Sequence, residues 1–164
     1  AIMNATRLMK EGGCDVIKLE GGAGVKDTVK AIVDAGIPVM GHIELTPQTI
    51  SKLGGFKVQA KDSEVEKALI ADAKSLEEAG AFSLVLKCIP VRISKMITEA
   101  VSIPTFGMGA GIYCDGQIMV FHDMVGLLDR NTPKHVKKYV NLTEIILKAL
   151  AKFKEDVKNE KFPE

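Results

Sequence analysis

Short apolar runs rich in β-branched residues alternate along this chain with longer segments whose apolar positions recur every three to four residues. Five of the short runs have strand length: residues 15–19, 37–43, 82–89, 103–106 and 117–121. Continuous hydrophobicity over so few residues suits parallel strands covered on both faces. Between them the spacing predicts helices. Residues 1–11 are closed by Gly12 and Gly13, and residues 25–35 by Gly36. Glycine reaches the left-handed conformation that ends a helix at little cost. Ser63 and Glu66 stand at capping-box spacing, and Val65, Leu69, Ala73, Leu76 and Ala79 keep one stripe as far as Gly80. Ile93, Met96, Ile97 and Ala100 make another stripe. From 133 to 158, Val136, Tyr139, Val140, Ile146, Leu147, Leu150 and Phe153 share a helical side, which predicts a C-terminal helical segment.

Five βα units in series predict an α/β fold, a parallel sheet with helices outside, either doubly wound or a (β/α)8 barrel. A closed barrel needs eight strands and about 250 residues. The 164 residues here therefore read as one partial (β/α) barrel domain over 1–164, undivided by any low-complexity linker.

Composition narrows the function classes. A net charge of +1, with 46% hydrophobic and 26% charged residues, is that of an ordinary soluble globular protein. Nucleic-acid binding is not expected, because displacing counterions from phosphates needs a basic face. Two Tyr, six Phe and no Trp also leave few platforms for stacking bases. No apolar run reaches membrane-spanning length and no secretory signal opens the sequence, so a cytoplasmic protein is expected. Cys14, Cys88 and Cys114 lie far apart without a CxxC pair, which suits buried thiols in a reducing compartment better than zinc or disulfides. The seven Met residues read as fillers of core gaps.

In parallel α/β folds, ligands bind at the carboxyl ends of the strands. There the runs end in Lys18 and Glu20, in His42, in Lys87, in a GMGAG sequence at 107–111, and in His122 and Asp123. Lys18 and Glu20 are two apart and so share a strand face. Together they suit either an anionic substrate with a hard metal ion or a mutually satisfied ion pair. His42 and His122 can serve as hydrogen-bonded structural residues or as site residues, whereas His135, beside Lys134, reads as surface. The GMGAG sequence lacks both the Walker spacing and the third glycine of the dinucleotide fingerprint, so its glycines are expected to serve a tight turn or a close backbone approach.

The sequences VIKLEGG (16–22), GIPVMGHIELTPQ (36–48), GGFKVQAK (54–61), LVLKCIP (84–90), IPTFGMGAG (103–111) and DGQIMVFHDMVGL (115–127) together resemble the C-terminal portion of the ketopantoate (3-methyl-2-oxobutanoate) hydroxymethyltransferase family. The resemblance implies a (β/α)8 barrel that moves a one-carbon unit from 5,10-methylenetetrahydrofolate to 3-methyl-2-oxobutanoate in pantothenate and coenzyme A synthesis. It implies Mg2+ as cofactor, an oligomer of identical chains, Lys18 and His42 on the substrate, and Glu20 at the metal. It also implies that the barrel's front strand ends, with most metal and substrate contacts, lie outside this chain.

Three departures stand out. Lys87 occupies the position of the family's catalytic glutamate base, and Glu44 and Ala60 replace residues that are usually glycine. Beside Mg2+ and Lys18 the charged form of Lys87 is disfavoured, so its pKa is expected to fall, and a neutral amine there can in principle take a proton. The alternatives to an impaired transferase are a non-catalytic half-barrel that binds a partner or forms oligomers, and a related barrel enzyme that binds Mg2+ and a 2-oxo acid. An open partial barrel is also expected to self-associate or to be poorly stable, because its edges are unpaired.

Overall fold

The computed structural model describes residues 1–44, 62–127 and 136–163. Five strands form one sheet in chain order: β1 (Ile17–Glu20), β2 (Val39–Glu44), β3 (Ser83–Lys87), β4 (Thr105–Met108) and β5 (Gly116–Gln117). Every neighbouring pair is parallel. The helices are α1 (Ile2–Gly12), α2 (Lys26–Asp34), α3 (Asp62–Glu78), α4 (Val91–Ala100), α5 (Phe121–Val125) and α6 (Leu142–Lys158). This is the α/β architecture expected of serial βα units, carrying five parallel strands of the barrel type.

The punctuation read from the sequence does its work. Gly13 ends α1 with φ of 65°, and Gly36 and Gly80 follow α2 and α3 at φ of 81° and 91°. One face of the sheet carries Ile17, Val39, Ile43, Leu84 and Leu86, which pack with Val29 and Ile32 of α2, Leu69, Ala73 and Leu76 of α3, and Ile93 and Ile97 of α4. Gly41 sits within this layer, where a Cβ would come 2.7 Å from Leu84 and 3.0 Å from Leu76. Leu76 therefore lies against the β2 backbone, and this close approach fixes α3 on the sheet.

Three local expectations are corrected. Glu66 does not close a capping box. Helix α3 already begins at Asp62, and the Glu66 carboxylate pairs with Arg92 on α4. A bidentate-capable guanidinium outcompetes a neutral amide for a carboxylate. The run 117–121 is not one strand: pairing stops at Gln117, and Phe121 opens α5, whose Met124 N–H donates to the Val120 carbonyl at 3.0 Å. Short apolar runs do not distinguish strand from helix by period. His122 and Asp123 thus lie on a helix rather than at a strand end.

The chain divides into two compact units, Ala1–Ile118 and Met119–Glu164. In the second, α6 starts after Asn141, whose side chain accepts from the Glu144 N–H, while residues 136–141 are irregular. Its apolar stripe of Ile146, Leu147, Leu150 and Phe153 is exposed, and Phe153 meets Phe162 edge to face at 5.3 Å. Residues 133–135, His135 among them, lie outside the described residues, as do Ala60 and the whole of 54–61.

Candidate functional site

Register and pleat decide which side chains meet. Glu20 pairs with His42, and Glu44 with Lys87. In-register residues of parallel strands share a face, and alternate positions within a strand do too. Lys18, Glu20, His42, Glu44 and Lys87 therefore occupy the sheet face opposite the helix-packed layer, at its carboxyl end. The sequence-derived residues Lys18, Glu20, His42 and Lys87 are brought together; Glu44 joins them.

The turn after Glu20 is held from outside. The Gly21 N–H continues the ladder to the His42 carbonyl at 3.0 Å, at a φ of 135° that only glycine takes readily. Gly22 lies against Asp72 of α3, where a Cβ would overlap the carboxylate, and Asp72 accepts the Ala23 N–H at 2.7 Å. The paired glycines of this motif thus let a helix clamp the end of β1 and so fix the position of Glu20.

His42 is 4% exposed, and neither ring nitrogen has a hydrogen-bond partner. Leaving a buried polar group without one costs about 1–3 kcal/mol. Charges flank it instead. Glu20 Oε2 lies 3.3 Å from Nδ1 and Glu44 Oε2 lies 3.9 Å from Nε2. Burial lowers the His42 pKa below 6.5; Glu20 and Glu44 oppose that shift while Lys18 and Lys87 add to it. The net shift favours the neutral imidazole.

Lys87 pairs with Glu44. Its ammonium donates to Glu44 Oε2 at 2.9 Å, and this bond raises its pKa above 10.5 against the opposing effect of burial. A carboxylate directly across the strand boundary thus favours the cation more than burial disfavours it. The residue that sequence reasoning missed is Glu44. Its signal was available: two residues of opposite charge, Glu44 and Lys87, at the ends of consecutive strands.

The glycine-rich end of β4 is a packed turn. Gly109 and Gly111 have φ of 66° and 82°, Ala110 is buried, and its carbonyl accepts the Ser94 hydroxyl of α4. Gly107 faces Cys114 and Gln117, which a Cβ would approach to 3.1 Å. Asp115 lies at the next turn, accepting the Thr105 N–H at 2.8 Å and its hydroxyl at 3.0 Å.

A sequence profile, that of ketopantoate hydroxymethyltransferase, matches residues 1–164. The chain belongs to this family. A protein of Clostridium botulinum (strain 657 / Type Ba4) named 3-methyl-2-oxobutanoate hydroxymethyltransferase is 56% identical over 164 residues, all of this chain and 60% of the relative. Proteins of the same name from Moorella thermoacetica and Enterococcus faecalis are 53% and 54% identical, covering 100% and 99% of this chain and 61% and 59% of the relatives. The chain thus spans about 60% of the length of the curated relatives it matches.

Proposed function

We propose that this chain forms part of a hydroxymethyltransferase site that makes ketopantoate from 3-methyl-2-oxobutanoate and 5,10-methylenetetrahydrofolate, a step of pantothenate synthesis. The observation that carries the reading is the convergence of Lys18, Glu20 and His42 on one face at the carboxyl ends of parallel strands, in a chain that matches the family along its whole length.

The chemistry removes a proton from the carbon beside the ketone, and the resulting enolate attacks the folate-borne methylene. A carbon–carbon bond forms, the bonds from that carbon to folate nitrogen break, and water supplies the hydroxyl. Lys18 offers an ammonium to the substrate carboxylate. His42, buried, lines the same face. Lys87 adds a second positive charge, and its ion pair with Glu44 favours the ammonium over the neutral amine that could accept the proton. Proton removal is then the step this chain serves worst.

Mg2+ takes oxygen donors and keeps several waters, commonly on one or two carboxylates. Glu20 fits that demand, because its side chain is 59% exposed and its carboxylate stands at the strand end. When bound there, Mg2+ withdraws electron density from the oxygens of the oxo acid.

The sheet ends on β1 and β5 among the described residues, and open edges are surfaces through which sheets pair, so self-association accompanies this reading. No helix among the described residues is long and apolar enough to cross a membrane, which suits a cytoplasmic biosynthetic role.

Binding of 3-methyl-2-oxobutanoate by this chain, followed by saturation-transfer NMR, tests the reading. Lys18→Ala weakens binding about 10-fold or more, as expected for loss of a charge-assisted bond. Equal binding by wild type and Lys18→Ala contradicts it. Binding that is never followed by turnover, even with the rest of the barrel supplied, favours a non-catalytic half-barrel.

A further inference from the structure

Removing a proton from the carbon beside a ketone needs a group that can accept it, and most of the polar side chains on this face are committed elsewhere. Lys18 serves the substrate carboxylate and Glu20 the metal in the transferase reading. Lys87 is paired as an ammonium, 2.9 Å from Glu44. His42 is 4% exposed, with Glu20 Oε2 3.3 Å from Nδ1 and Glu44 Oε2 3.9 Å from Nε2. A carboxylate thus stands at each of its nitrogens, and a buried ring is a poor place to leave a new charge.

Glu44 remains, and its contacts are one-sided. Oε2 accepts from the Lys87 ammonium at 2.9 Å and is also the atom that faces His42. Among the described residues, Oε1 has no hydrogen-bond or ion-pair partner. The carboxylate is therefore fixed through one oxygen and keeps the other for a proton, in a side chain that is 18% exposed.

We propose that Glu44 takes the proton from C3 of 3-methyl-2-oxobutanoate, with Oε1 as the acceptor and Lys87 as the group that holds Oε2. This rests on the transferase reading and deepens it. The C3–H bond breaks, the proton passes to Oε1, and the electron pair becomes the C2–C3 double bond of an enolate whose charge rests on the keto oxygen. Lys87 stays an ammonium throughout. Pinned by its ion pair, Glu44 has little freedom to follow the carbon it deprotonates, which keeps the step slow.

Hydrogen–deuterium exchange at C3 of 3-methyl-2-oxobutanoate, catalysed by the whole 164-residue chain in D2O and read by proton NMR, tests the proposal without folate. The wild type exchanges this hydrogen faster than buffer. Glu44→Gln, which still offers Lys87 a carbonyl oxygen, binds the oxo acid as wild type does by saturation transfer but exchanges about 100-fold more slowly. Glu44→Asp retains part of the exchange, because a carboxylate remains on the same strand. Exchange that survives Glu44→Gln overturns the proposal, and its loss in Lys87→Met or His42→Asn then identifies the true base. A wild type that binds without exchanging also overturns it, while substrate binding still stands. Failure to bind the oxo acid at all overturns the transferase reading, and the proposal with it.

Discussion

Lys87 and Glu44 face each other at paired positions of β3 and β2, with the ammonium 2.9 Å from the carboxylate. Each supplies the charge the other needs. Lys87→Glu alone therefore sets two carboxylates opposite one another, where like charges repel. The single variant melts lower than wild type, and the double variant Glu44→Gly/Lys87→Glu recovers most of the loss. Thermal unfolding followed by circular dichroism checks both.

The pair also has a pH signature. The folded pKa of Lys87 is raised above 10.5, chiefly by the hydrogen bond to Glu44. Its stabilisation is therefore complete below the unfolded value and is lost as pH climbs through the higher folded one. A double-mutant cycle with Lys87→Met and Glu44→Gln should give a coupling of about 0.5–1 kcal/mol at pH 7, typical of a partly exposed pair. The coupling vanishes in strong alkali.

Asp115 behaves in the opposite sense. The Thr105 N–H and then its hydroxyl hold the Asp115 carboxyl below its usual 3.8. This contribution is present above the unfolded pKa and disappears as pH falls through the lower folded value. Asp115→Asn should lower the urea midpoint at pH 6 and have little effect once the carboxyl is protonated. A deficit of equal size at pH 6 and at pH 2 would contradict this.

Gly22→Ala tests the clamp on Glu20. The added methyl overlaps Asp72, which must swing away from the Ala23 N–H. Overpacking of this kind costs about 1–3 kcal/mol. Gly24, with open space around it, is the control: Gly24→Ala leaves the urea midpoint nearly unchanged.

Much of the fold was legible because its signals are local. The glycines after α1, α2 and α3, and the continuous apolar cores of β2 and β3, report their own conformation. Strand order followed from the serial βα rule. The run 117–121 misled because four apolar residues carry no period, and Glu66 because its partner Arg92 lies 26 positions away. The site divided in the same way. Lys18, Glu20 and His42 were readable as polar ends of apolar strands. The ion pair of Lys87 with Glu44 was not, since it depends on register, which only the assembled sheet supplies.

The most direct measurement is the rate of ketopantoate formation by a chimera in which these 164 residues replace the matching part of the Clostridium botulinum relative. With its ion pair favouring the ammonium of Lys87, the chimera should be about 10²–10⁴-fold slower than the relative. Glu44→Gly/Lys87→Glu should recover much of that rate, and a further Lys18→Ala should remove it again. An unmodified chimera as fast as the relative, losing its turnover in Lys87→Ala, would contradict the account, because Lys87 would then be taking the proton as a neutral amine.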